Sequence, residues 1–179
     1  AILSWDWFQR YPAPLVLQPG DVVIQSWDPA SIPGLDNDFS VCTTWVIRDG
    51  NYYLVDVIRE HYDYPALKRA ALAGLAKWHP FEIIIEHANT GTSLIQELQQ
   101  MALSGTGPLQ LRQLRWHKPR DSKVARMAGE SAAIEAGRVW LPNWAVWLDA
   151  FRQEILMFPH GRYDDQIDSV SQFLYRMRI

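Results

Sequence analysis

The sequence predicts an α/β domain with a mixed sheet and helices on both faces. Three observations lead there. The first third holds three runs rich in β-branched and aromatic residues; a tight-turn signal joins two of them into a hairpin; and the remainder alternates helical periodicity with short apolar runs. The order of elements is β-β-β-α-β-α-β-α-α-α, and no internal repeat is visible.

Residues 1–20 (AILSWDWFQRYPAPLVLQPG) carry Trp5, Trp7, Tyr11 and prolines with little periodicity. They read either as a lead-in that docks aromatics on the domain or as the remnant of an interdomain linker, leaving 21–179 as the domain. Strands are expected over 21–27 (DVVIQSW), 40–47 (SVCTTWVI) and 52–58 (YYLVDVI), where Val, Ile, Thr, Tyr and Trp dominate. Asp49-Gly50-Asn51 marks the last two as an antiparallel hairpin. A longer polar loop, DPASIPGLDND, separates the first two.

Helical spacing starts at Pro65, with Leu67, Ala71, Leu75 and Trp78 on one stripe, and stops at His79-Pro80. EIIIE at 82–86 is a short buried strand. Ser93 and Gln96 form a capping-box pattern ahead of Leu94, Leu98 and Met101. Residues 109–116 alternate as a half-buried strand. Asp121-Ser122 can cap a helix closed by Gly137, and Asn143 another carrying Trp147, Phe151, Ile155 and Phe158. The last helix starts near Asp164, with Ile167, Val170, Leu174 and Met177 as its apolar stripe.

Composition narrows the functional classes. Of 179 residues, 48% are apolar and 12% aromatic, which excludes a disordered or low-complexity chain. The net charge of -3 argues against wholesale electrostatic binding of nucleic acid. A single cysteine, Cys42, cannot form an internal disulfide and reads as core. There is no signal peptide and no apolar run of membrane-spanning length, so the expectation is a soluble, intracellular globular domain. No GxxxxGK[ST] loop, GxSxG elbow or HExxH spacing occurs, and the five histidines are scattered.

Carboxylates carry the chemical signal. Asp28 ends the first strand, Glu86 ends EIIIE, and Asp164, Asp165 and Asp168 open the last helix away from its apolar stripe. A carboxylate where a chain leaves an apolar strand is held rigidly with its head free. Acids gathered together need protons or hard divalent cations. Each has an ordinary role open to it as well: Asp164 as N-cap, Asp165 and Asp168 near the positive helix end, Asp28 in a turn, Glu86 in a loop. One basic stretch, Arg112, Arg115, Lys118, Arg120, Lys123 and Arg126 with Trp116 and His117 interleaved, suits a phosphate backbone or is simply a solvated face.

These stretches resemble the C-terminal nuclease domain of the large terminase subunit of tailed bacteriophages. The matching segments are QSWDPA followed by NDFSVCTTW, YYLVDVIRE…YPALKRA, IIIEHANTGTSLIQEL, DSKVARMAGESAAIEAGRVWLP and FPHGRYDDQIDSVSQFL. They occur in the family's order from about residue 21 to 179. The resemblance implies an RNase H-like fold of the retroviral integrase superfamily. It also implies an endonuclease that cuts concatemeric double-stranded viral DNA when packaging starts and ends. Asp28 then corresponds to the first-strand metal ligand and Glu86 to the second acid. The third comes from YDDQID, where Asp165 is favoured over Asp164 and Asp168; some members carry histidine at the position of Asp165. Asp38 resembles an auxiliary acid and ranks lower. The implied cofactors are two Mg²⁺ or Mn²⁺ ions serving two-metal phosphodiester hydrolysis, with the basic stretch on the flanking DNA backbone. The implied partners are double-stranded DNA, the small terminase subunit, the portal protein and an ATPase domain upstream on the same polypeptide. No membrane partner is implied. The implied location is the host bacterial cytoplasm, at the procapsid portal.

Other classes are less well matched. A junction resolvase or transposase-type nuclease shares the fold but calls for branched-DNA recognition that no motif here announces. An actin-like sugar kinase needs a Gly/Thr-rich phosphate loop after the first strand, where Asp28-Pro29-Ala30 stands. A non-catalytic module that docks DNA or portal would have no use for the retained acids.

Overall fold

The computed structural model describes residues 2–32 and 38–179. Its centre is a seven-stranded mixed sheet. The strands are β1 (Gln9–Tyr11), β2 (Val22–Asp28), β3 (Ser40–Arg48), β4 (Asn51–Glu60), β5 (Glu82–Glu86), β6 (Leu114–His117) and β7 (Val139–Pro142), in the spatial order β1-β7-β4-β3-β2-β5-β6. β2, β3 and β4 form the expected antiparallel meander, and Asp49 and Gly50 turn its hairpin with positive φ. β5 and β6 extend the sheet in parallel from β2, and β7 and β1 extend it in parallel from β4.

Helices cover both faces. On one, α1 (Tyr64–Trp78) and α2 (Thr90–Ser104) pack Leu67, Leu75, Leu94 and Leu98 against Trp27, Ile83 and Ile85. On the other, α3 (Lys123–Glu135), α4 (Leu148–Met157) and α5 (Asp165–Arg178) contribute Met127, Phe151, Ile155 and Phe173 to a core with Trp45 and Ile84. Ile84 thus faces opposite to Ile83 and Ile85, which is why EIIIE is apolar without alternation.

α5 is the best-anchored helix. The ring of Phe173 stacks on Trp45 at 4.3 Å. Beyond the expected stripe, its polar side is also buried. Ser26 and Ser169 each donate a hydroxyl to the other's backbone carbonyl, at 2.8 and 2.7 Å. Gln172 Nε2 donates to Ser26 Oγ and to the Trp27 carbonyl. The donors of Ser26, Ser169 and Gln172 are matched, so this polar seam fixes the helix along β2.

Several expectations are corrected. Residues 9–11 of the lead-in form β1, and VWLP at 139–142 forms β7; both are too short to show periodicity, and each pairs with a strand distant in sequence. The lead-in also docks its aromatics, with Phe8 and Tyr11 buried. Over 109–116 only 114–116 is strand. Leu109–Gln113 is a 3₁₀ turn after Pro108, which leaves Leu109 exposed and Leu111 buried. Ser93 is already inside α2, whose N-cap is Asn89 at φ 50°, so no capping box forms. α4 begins at Leu148 rather than after Asn143. The polar loop between β2 and β3 lies partly outside the described residues, at 33–37.

Candidate active site

β2 and β5 run parallel as neighbours, with Trp27 beside Ile85 in register. Their last residues, Asp28 and Glu86, therefore emerge together at the carboxyl edge of the sheet, the usual place for a site in α/β folds. The two carboxyls are close enough for Glu86 to act directly on Asp28. Burial, the bond with Glu86 and repulsion from Glu86, Asp168 and Asp165 all push Asp28 well above the usual carboxylate range. Such crowding of like charge around Asp28 is relieved by a proton on Asp28 or by a cation.

α2 starts four residues after Glu86, at Thr90, and its first turn is built around Gly91. A Cβ there would overlap the backbone carbonyl of Glu86. The HANTGT segment thus needs glycine for close approach, and the glycine sets where Glu86 sits. Sequence reading passed over Gly91, although a glycine inside an otherwise helical run five residues past an acid was the available signal.

α5 delivers the other acids. Asp168 is buried, and both of its oxygens are taken: Lys123 Nζ lies 2.8 Å from one and Arg126 donates to the other at 3.1 Å. Lys123 also holds Asp164, at 2.7 Å. Asp164 precedes the helix yet makes no capping hydrogen bond, so the N-cap role open to it is not the one it plays. Asp165 has no hydrogen-bond partner among the described residues. Burial pushes its carboxyl up to about 6, with Lys123 opposing and Asp164, Asp168 and Asp38 adding repulsion. Asp38 is therefore within electrostatic reach of the cluster, and its carbonyl accepts a hydrogen bond from His61 at 2.6 Å.

The basic stretch divides. Lys118, Arg120 and Arg126 line a cleft of about 570 Å³ whose floor includes Asp28, Glu86 and Asp168. Lys123 sits on the aspartates instead. Arg115 turns away to Glu82, at 3.6 Å. Arg112, on the 3₁₀ turn, does not line the cleft either. His117, which no motif singled out, does line it, with its ring 5.0 Å from that of Tyr175. Burial and the nearby Arg126 lower its affinity for a proton, with Glu86 opposing.

Among the described residues, no three acidic, histidine or cysteine side chains already converge in a metal-binding arrangement. The donor chemistry nevertheless suits hard divalent cations. Asp28 and Glu86 are neighbouring carboxyls at rigid strand ends, Asp165 is a partly buried carboxyl with no hydrogen-bond partner among the described residues, and all offer oxygen. No thiol or imidazole set competes among them.

A family model described as the terminase RNaseH-like domain matches residues 25–176. No curated protein sequence matches the chain. Among solved structures, the large terminase of the thermophilic bacteriophage D6E aligns over 99% of this chain with a TM-score of 0.70 and 13% identity. The chain spans 45% of that protein, less than half its length. The large terminase nuclease of thermophilic phage G20c with bound magnesium aligns with a TM-score of 0.69 and 13% identity, covering 96% of this chain and 94% of that one. The g2p large terminase nuclease domain of bacteriophage SPP1 with bound Mn gives 0.64 at 13% identity, with 99% of both chains covered. At these identities the likeness is one of fold, and it agrees with the mixed sheet described above.

Proposed function

Because the chain belongs to the terminase RNaseH-like domain family, we propose that it is a divalent-metal-dependent endonuclease acting on double-stranded DNA during phage genome packaging. The observation that carries this reading is the meeting of Asp28 and Glu86 at adjacent strand ends beside the acids of α5. In the proposal Asp28, Glu86 and Asp165 would hold two Mg²⁺ or Mn²⁺ ions. Such an ion pair supplies activation of water and stabilisation of the departing 3′ oxygen of a phosphodiester.

The chain's own residues do the rest. Asp28 and Glu86 enter from strands buried on both faces, so little reorganisation is needed. Asp168, with both oxygens committed, serves to fix Lys123 and Arg126 rather than to bind metal. Arg126, Lys118 and Arg120 line the cleft, where they would neutralise backbone phosphates on either side of the cut. Such contacts are indifferent to base identity, so selection of concatemeric viral DNA falls to partners: the small terminase subunit, the portal and an ATPase domain on the same polypeptide. Work of this kind takes place at the procapsid in the host cytoplasm.

Nicking and linearisation of supercoiled plasmid with Mn²⁺ or Mg²⁺, beside an EDTA control and Asp28→Asn, tests the proposal. Metal-dependent cutting that disappears in the variant is the expected result. Cutting that survives Asp28→Asn, or its absence with every metal, overturns it.

A further inference from the structure

We propose that Glu154 is a positioning residue of this site: from α4, it caps α5 and so sets the place of Asp165 and Asp168. The inference rests on the nuclease reading above and adds a residue that touches neither metal nor DNA.

A helix begins with N–H groups that have no partner inside it, and the N-cap side chain commonly accepts from them. In α5 that side chain, Asp164, is engaged with Lys123 instead. The acceptor comes from elsewhere. Gln166 N and Ile167 N donate to Glu154 Oε2 at 3.0 and 3.2 Å, and Gln166 Nε2 donates to Oε1 at 2.8 Å. Asp165 immediately precedes these two residues and Asp168 immediately follows them. Whatever fixes the first turn of α5 therefore fixes both acids.

Glu154 is itself well fixed. It is buried, and its helix is pinned by Phe151 and Ile155, both fully buried in the core. The guanidinium of Arg59, 3.7 Å from Oε1, approaches from β4. Arg59 lies 3.7 Å over the ring of Phe39 and 5.1 Å from that of Tyr163. Those aromatics adjoin Asp38 and Asp164. One buried side chain thus ties α4, β4 and the entry to α5 together, and the bonds from Gln166 and Ile167 and the charge of Arg59 only partly oppose its desolvation. A cap drawn from another helix leaves the N-cap aspartate available to hold Lys123, which a self-capped helix would not.

A purely structural cap would change stability and nothing else, so metal binding is the deciding readout. Mn²⁺ binding to the whole chain is measured from the electron paramagnetic resonance signal of the free ion, for wild type, Glu154→Ala, Glu154→Gln and Ile155→Val. Loss of groups that orient metal ligands weakens metal affinity by roughly 10- to 100-fold, and that is expected for Glu154→Ala. Glu154→Gln keeps an acceptor for α5 and is expected to recover most of the affinity. Ile155→Val perturbs the same helix and should bind within twofold of wild type. If Glu154→Ala fails to fold, Glu154→Asp, which withdraws the carboxylate by one methylene, decides: severalfold weaker binding supports the proposal and unchanged binding overturns it. Glu154→Ala folded by circular dichroism with wild-type Mn²⁺ affinity overturns the inference alone, as does an equal loss in Ile155→Val. A wild-type chain that neither binds Mn²⁺ nor cuts DNA overturns the nuclease reading and this inference with it.

Discussion

Asp165→Asn should stabilise the metal-free protein. The partly buried Asp165 carboxyl is pushed up to about 6 from an ordinary 3.8 by desolvation, with Lys123 opposing and Asp164, Asp168 and Asp38 adding repulsion. A raised value means the folded chain holds this proton more tightly than the unfolded one. Folding therefore gains below about pH 4 and loses that gain as the pH climbs through about 6. The interval from 3.8 to about 6, at about 1.4 kcal/mol per pH unit, amounts to about 3 kcal/mol at neutral pH. Asparagine has no charge to bury, and Asp165 has no hydrogen bond among the described residues to lose. Asp165→Asn should thus unfold later in urea at pH 7.5 with EDTA, with a midpoint temperature higher by about 6–12 °C for a chain of this size. The advantage should shrink to nearly nothing at pH 4. Saturating Mn²⁺ should nearly erase the advantage, because an ion at 100 times its Kd adds about 2.7 kcal/mol to a wild type that binds it more tightly than the variant. A variant no more stable than wild type at pH 7.5, or an advantage undiminished at pH 4, would refute the electrostatic account.

Three further outcomes are expected. Gly91→Ala should displace Glu86 through its carbonyl and slow plasmid nicking by about 10²-fold, while far-ultraviolet circular dichroism stays unchanged. Replacing Lys118 and Arg120 with alanine should weaken DNA binding evenly across sequences. In a fluorescence-anisotropy titration the slope of log affinity against log salt should become shallower by about 1 for each residue; unchanged slopes would place the backbone elsewhere. Phe173→Ala, by emptying the stack on Trp45 in a fully buried core, should cost about 3–5 kcal/mol in denaturant unfolding.

What could be read from residues alone depended on whether a pattern was local. Asp28 and Glu86 were legible because each closes an apolar run, and such runs become strands buried on both faces. Their adjacency was not, since parallel pairing of β2 with β5 leaves no turn motif between them. Lys123 shows the opposite failing. In sequence it belongs to a basic stretch. In space α3 packs on α5 and places it on Asp164 and Asp168, 41 residues downstream in the case of Asp164. β1 and β7 escaped notice because three and four residues cannot display a period of two convincingly. Glu154 escaped because its partners are backbone N–H groups, which every residue offers and no composition reveals.

The seam between Ser26 and Ser169 joins parts of the chain 143 residues apart, and the same pairing of β2 with α5 brings Asp28 toward Asp168. Structural integrity and the proposed metal site therefore share one contact. If heat or damage frees α5 from the sheet, Trp45 and Phe173 are uncovered and the acids separate in a single event. A nuclease of the proposed kind would in this way be disarmed by its own unfolding, with no inhibitor required.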